Sequence, residues 1–261
     1  MRKIALILGV FGFLSANSFF DGPFDRCYHT GDISLSEFSA FTNTYQHRPL
    51  KTNVGGMRSP GMFHLWFLTR KINPDLIIES GVWSGQSTWL LEQAAPKAKM
   101  ISIDPVLKKR IFISKKARYQ TKDFSTLDLS KFQGQTILAF FDDHQNAFER
   151  VKQAYAKGIK HLIFDDNYPN KNARHLTLDH CFNLKQHNDK KIELQKMIKT
   201  YFIMPQIIRS KKDQLNNGVS VTHIPALWGQ IDEVPKTHQK HMSIFAKDAP
   251  YYRYTTYVEL N

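Results

Sequence analysis

At 261 residues, with 42% hydrophobic and 13% aromatic side chains, the chain can fill the core of one α/β domain with additions, which excludes wholesale disorder. Lys and Arg outnumber Asp and Glu by 36 to 23, a formal net charge of +13. That balance suits acidic partners such as phosphorylated glycans, anionic lipid or nucleic acid. The charge is diffuse and no nucleic-acid-binding motif accompanies it, so nucleic acid is not an expected partner.

The N-terminus places Arg2 and Lys3 before an uncharged, mostly apolar run over residues 4–16, followed by Asn17, Ser18 and Phe19. This is the pattern of a secretory signal, with Ala16 and Ser18 as the small residues ahead of a cleavage before Phe19. The alternatives are an uncleaved membrane anchor, although a span needs about 20 apolar residues, and a buried N-terminal element. Residues 1–18 are therefore assigned to a signal peptide or anchor and residues 19–261 to a single domain. The expected location is the secretory pathway or the exterior, or the cytoplasm if the run belongs to the fold. Cys27 and Cys181 could form one disulfide or remain two thiols, and neither sits in a zinc pattern.

Residues 19–56 read as irregular. A helix is predicted from Ser59-Pro60, a polar cap followed by proline in the first turn, to Asn73-Pro74. Alternation then begins: a strand over 76–79, a helix over 85–95 stopped at Pro96, a strand over 100–104, a helix over 106–116 and a weaker strand over 118–121. A buried strand over 136–141 precedes a helix over 146–156, in which Phe148, Val151 and Tyr155 share one face and Gly158 caps the end. The next buried strand is 161–164. Strands alternating with helices predict a doubly wound, mostly parallel sheet covered on both faces. This core spans 59–168. Residues 171–217 read as a basic insertion of one or two helices, and 218–261 as C-terminal strands ending in an aromatic, antiparallel one.

Chemistry concentrates at the predicted strand ends. In Glu79-Ser80-Gly81-Val82-Trp83-Ser84-Gly85 an acid closes a strand, and two glycines shape the turn into a helix whose N-terminus offers unpaired N–H groups. It is neither the dinucleotide fingerprint nor a Walker loop. Asp104 ends the second strand, where a carboxylate can accept two hydrogen bonds from a ribose diol or cap the following helix. Asp142-Asp143-His144 and Asp165-Asp166-Asn167 end two further strands. So many carboxylates at one edge call for protons, a Lys or Arg, or a hard cation, and oxygen donors suit Mg²⁺ better than zinc. Asn53-Val54-Gly55-Gly56-Met57 could cover a ligand or form an ordinary turn. His64 reads as a core histidine, and Trp228 with Tyr251, Tyr252, Tyr254 and Tyr257 as core packing ahead of a sugar-stacking surface.

As an ordered set, the Glu79–Gly85 string, Asp104, the Asp123-Phe124-Ser125-Thr126-Leu127 loop and the two Asp clusters resemble the macrocin O-methyltransferase group. That group is related to the cephalosporin-hydroxylase-like, metal-dependent O-methyltransferases, and the second cluster also resembles the metal-binding strand end of catechol-type O-methyltransferases. The resemblance covers residues 75–168. It implies a Rossmann-like, class I, seven-stranded methyltransferase sheet with an N-terminal helical cap. It further implies that Glu79, Gly81 and Gly85 cradle the methionine part of S-adenosylmethionine, that Asp104 holds the ribose, and that Asp123 and Phe124 lie near the adenine. Asp142, Asp165 and Asp166 would hold Mg²⁺ or a similar divalent cation, with Asp143 or Asn167 as substitutes, and His144 would be the general base. The implied acceptor is a diol-type hydroxyl on a sugar, glycan or other small molecule. The competing class is a secreted, non-enzymatic Rossmann-like binding protein.

Overall fold

The computed structural model describes residues 33–169, 175–210, 221 and 224–261. The leader or anchor expected over 1–18 and Cys27, the would-be partner of Cys181, lie outside the described residues.

The central sheet has seven strands: β1 (Leu76–Ser80), β2 (Lys99–Ile103), β3 (Ala117–Gln120), β4 (Ile137–Phe141), β5 (His161–Phe164), β6 (Ile198–Ile203) and, last in this sheet, the strand Thr256–Leu260. A parallel pair, β7 (Gln206–Ile208) and β8 (Ala226–Trp228), stands apart, so the C-terminal strand is β9. The order is β3-β2-β1-β4-β5-β9-β6, and β9 alone runs opposite to the other six strands. This is the doubly wound, mostly parallel sheet that the sequence predicts.

Successive side chains on a strand point to opposite faces, and the core divides accordingly. Leu76, Ile78, Ile101, Ile103, Ala139, Phe141, Leu162 and Phe164 pack on one face with helices α4 (Ala147–Ala156), α5 (Leu178–Asn183) and α6 (Asn188–Met197). Ile77, Met100, Leu138, Phe140 and Ile163 face the other way. They meet α1 (Leu35–Tyr45), α2 (Ser59–Ile72), α3 (Gln86–Ala94) and α7 (Lys236–Asp248). Strands buried on both faces explain their near-continuous apolar runs. His64 is fully buried in α2, in ring contact with Phe63 and Tyr252, as a core histidine.

Local signals account for most boundaries. Pro60 sits in the first turn of α2, and Asn73, left-handed at φ 49°, ends it. Asn146 caps α4 by accepting the Glu149 N–H at 3.3 Å. Within α4, Phe148 and Val151 are buried, whereas Tyr155 is exposed.

Four expectations are corrected. Residues 106–116 form only a single 3₁₀ turn, Leu107–Lys109. The segment is stitched to the turn beneath it instead: the N–H groups of Ile111 and Phe112 both donate to the Ser84 carbonyl, at 3.0 and 3.1 Å. The 19–56 stretch contains α1, started by Ser34 and Glu37, whose carboxylate accepts the Ser34 N–H at 3.3 Å. The 171–217 stretch contributes β6 and β7 as well as helices, because Tyr201, Phe202 and Ile203 pair with β9. Residues 218–261 include α7, whose Met242 and Phe245 are buried.

Candidate active site

Parallel strands β1, β2, β4 and β5 bring their carboxyl ends to one edge, and the chain reverses its direction of winding between β1 and β4. Ligands of doubly wound sheets bind at such a switch point. A cavity of about 520 Å³ opens there, lined by Gly81, Asp104, Asp142 and His144 among others. That volume is in the range of small-molecule sites, roughly 300–1,000 Å³.

Gly81 makes the cavity possible. It follows β1 at φ +99°, and a Cβ there would run into the Asp142 carbonyl. The backbones of the β1 and β4 turns therefore meet without a side chain between them. Gly85, at φ +87°, lies under the Phe112 carbonyl and does not line the cavity. Between them Trp83, at φ 47°, lines the wall, its Nε1–H donating to the Val54 carbonyl at 3.1 Å. Gly55 and Gly56 also line the cavity.

Glu79 is placed differently from expectation. Its carboxylate is fully buried and off the cavity wall, where it accepts the hydroxyls of Ser87 and Thr88 at 2.6 Å and of Ser102 at 2.8 Å. Burial pushes its pKa up, and the three hydroxyls pull it partly back. Glu79 thus ties β1 to α3 and β2.

Asp104 does line the cavity. Its Oδ2 accepts the N–H groups of Val82 and Trp83 at 3.0 Å each, and its Oδ1 accepts that of Val106 at 2.7 Å. A carboxylate has about four lone-pair sites, so Oδ1 retains capacity for a further donor. Asp123 also lines the cavity, clamped by Arg150 with Nη1–Oδ1 at 3.0 Å and Nη2–Oδ2 at 2.7 Å. The guanidinium holds the Asp123 carboxyl well below the usual range. Phe124, next in the chain, is fully buried, edge-on to Phe141 at 4.9 Å, and absent from the wall.

The carboxylates sort into two groups. Asp143 belongs to the Arg150 clamp, accepting Arg150 Nε at 2.9 Å and the Ser80 hydroxyl at 2.6 Å. Asp142, His144 and Asp166 form the other group, with ligand-type atoms within 4.8 Å of one another. His144 Nδ1 stands 3.4 Å from Asp166 Oδ2. Both His144 and Asp166 adopt positive φ, 53° and 57°, a strain that collects at functional sites. Asp165, the third expected ligand, stands beside this group, its side chain shut off from solvent and paired with Arg253 Nε at 3.3 Å. The same guanidinium pairs with Asp166 at 2.7 Å. The Asn167 amide donates to Tyr201 and Thr256 at 2.9 Å and accepts the Asp179 N–H at 3.0 Å. Burial, then the neighbouring Asp165 and Asp166, push Asp142 well above the ordinary carboxylate range.

Sequence reasoning missed both arginines. Arg150 looks like one charge among several on an amphipathic helix, and Arg253 stands between two tyrosines with no motif around it. Asp123 lies 27 residues from Arg150 and Asp165 lies 88 from Arg253, beyond any local signal, although Arg150 also pairs with Asp143 seven residues away. Of the C-terminal aromatics, Tyr252, Tyr254 and Tyr257 are buried.

No protein-family model matches the sequence, and no curated protein matches it. Among solved structures the chain is similar to the Mg-SAM form of CmcI, at 17% identity and a TM-score of 0.40, covering 67% of this chain and 78% of that one. It is similar to the O-methyltransferase TomG of Streptomyces achromogenes, solved with SAM, at 13% identity and a TM-score of 0.42, covering 66% and 82%. A SAM-dependent O-methyltransferase of Thermotoga maritima matches at 11% identity and a TM-score of 0.42, covering 87% and 71%.

Proposed function

We propose that the chain is an S-adenosylmethionine-dependent, cation-assisted O-methyltransferase acting on a hydroxyl of a diol-type acceptor, with a sugar or glycan as the first choice. One observation carries the reading: a single cavity is lined by Gly81 and Asp104 on one side and by Asp142 and His144 on the other. The residues fit the two groups. The close backbone contact at Gly81 brings the β1 and β4 turns together at the cavity wall, and the spare acceptor capacity of Asp104 suits a ribose hydroxyl. Among the described residues half-buried Asp142, beside two further carboxylates, joins no ion pair, while Arg253 is engaged by Asp165 and Asp166. Two carboxylates, completed by water and acceptor oxygens, suit Mg²⁺ or a similar ion, and leave the His144 imidazole free to act as base.

When bound, the sulfonium donor supplies an electrophilic methyl group, and a divalent cation lowers the pKa of a coordinated hydroxyl. The chain's own contribution is alignment and proton removal. Asp104 and the Gly81 turn hold the donor end of the cavity. Asp142 and Asp166 would hold the cation at the acceptor end of the cavity. His144, oriented through Nδ1 by Asp166, takes the hydroxyl proton on Nε2. Arg150 fixes Asp123 and Asp143 so that neither drifts into the reacting space.

Calorimetry on the full chain tests this reading. S-adenosylmethionine should bind in the micromolar range and weaken at least about tenfold, or about 1.4 kcal/mol, in Asp104→Ala. Mg²⁺ should bind the wild type and raise its Tm but leave Asp142→Asn unaffected. A folded protein that binds neither would exclude the methyltransferase reading and leave the secreted binding protein as the better account.

A further inference from the structure

Eight large apolar side chains stand exposed among the described residues, and five, Val54, Trp83, Val106, Ile111 and Ile113, belong to segments that line or adjoin the same cavity and form its rim. Trp83 is in the wall, Val54 precedes the lining Gly55, and Val106 follows the lining Pro105. The Ile111 N–H is fastened to Ser84, next to Trp83, and Ile113 lies two residues on. Val54, Ile111 and Ile113 are 74%, 72% and 59% exposed, an extreme degree for such residues grouped together.

The same segment is strongly cationic. Residues 105–118 carry Lys108, Lys109, Arg110, Lys115, Lys116 and Arg118 and no acid. Among the described residues none of these six joins an ion pair. Lys109 instead lies over the Trp83 ring at 4.7 Å, and Arg110 over Tyr119 at 4.0 Å. The backbone is held firmly, so exposure of these side chains is built into the fold: besides the Ser84 bonds, Ser114 accepts the N–H groups of Lys116 and Ala117 at 2.9 and 3.0 Å.

We propose that this rim is a docking surface for an anionic lipid bilayer. Apolar side chains interleaved with unpaired Lys and Arg are what a membrane interface rewards, the former entering the acyl boundary and the latter meeting headgroup phosphates. A polyanion such as nucleic acid would use the cations and leave the isoleucines in water. Among the described residues no helix is long and apolar enough to cross a membrane, and the surface described needs none. Docking would present the cavity mouth to the headgroup layer. It does not depend on the methyl-transfer reading, because only the rim is involved.

The full chain would be sedimented with vesicles of phosphatidylcholine alone and of phosphatidylcholine mixed with phosphatidylserine. Binding is expected to the mixed vesicles only and to weaken with salt. It should fall about tenfold or more both in Ile111→Ser/Ile113→Ser and in Lys108→Gln/Lys109→Gln. Lys190→Gln/Lys191→Gln, on α6, should bind like the wild type. Brominated lipid should quench a tryptophan emission that Trp83→Phe removes. Loss in the lysine variant with full binding in the isoleucine variant would mean unspecific attraction of polyanions and would overturn the proposal. So would wild-type binding by both rim variants, which would place any attachment elsewhere in the chain, or no binding at all.

Discussion

Glu79 illustrates how a residue picked out by a motif can serve the site without touching it. Its two oxygens satisfy three buried hydroxyls on two other segments, α3 and β2. Truncation to alanine would strand those hydroxyls, at roughly 1–3 kcal/mol for each group left unsatisfied. Glu79→Ala should therefore lower the unfolding free energy by more than about 3 kcal/mol, with Glu79→Gln, which keeps one acceptor oxygen, between it and the wild type. Urea denaturation measures both. A stable Glu79→Ala protein that had lost only donor binding would return Glu79 to the ligand. The same logic separates Asp142 from Asp165, adjacent in role by sequence. One faces the cavity and, among the described residues, joins no ion pair, and the other is shut away against Arg253.

At the scale of elements, the site depends on how closely the β1 and β4 turns approach. Gly81 sits at that contact, left-handed and facing the Asp142 carbonyl. Gly134, also left-handed at φ +77°, has nothing within 4 Å of its would-be Cβ. Gly134→Ala should cost only backbone strain, about 1–2 kcal/mol. Gly81→Ala adds a collision with backbone that no rotamer relieves, so its loss should exceed that of Gly134→Ala by at least about 1 kcal/mol. Thermal unfolding of the pair checks the difference, and equal losses would mean that the turns can part freely. Strand and helix identities around this contact were legible, because buried alternation and caps are local properties: Pro60, Asn73 and Asn146 each mark an end. The 106–116 segment was misread for the opposite reason. Its helical pattern was outweighed by the Ser84 carbonyl, a partner more than 20 residues away that only the folded turn supplies.

For the molecule as a whole, His64 makes a distinct contribution to pH dependence. Burial lowers its pKa to about 3, with the ordinary value near 6.5 in the unfolded chain. Between those values the unfolded state binds the proton and the native state does not, so stability is present above about pH 6.5 and declines as pH falls toward 3. A His64→Gln variant, which does not titrate, should gain on the wild type by about 1.4 kcal/mol per pH unit through that window. Denaturant midpoints at several pH values measure the gap, and a constant gap would show that His64 titrates normally. Asp179, raised to about 7 by burial, acts in the opposite sense, its contribution declining as pH rises from about 4 to 7. The comparison of variant with wild type isolates His64 from it.

By itself the sequence determined the alternating α/β architecture, the edge of the sheet at which the acidic clusters gather, and the glycine turn that opens it. Each follows from apolar periodicity, caps and strand-end residues acting over a few positions. The tertiary structure alone decided which carboxylates are free. Arg150 claims Asp123 and Asp143, Arg253 claims Asp165 and Asp166, and three hydroxyls claim Glu79. It also decided that Ile111 and Ile113 stay in solvent instead of facing a core. The physical reason is that charge pairing and burial depend on which chain segments become neighbours. These partners are brought together by the order of strands in the sheet, across separations at which local sequence carries no information about contact.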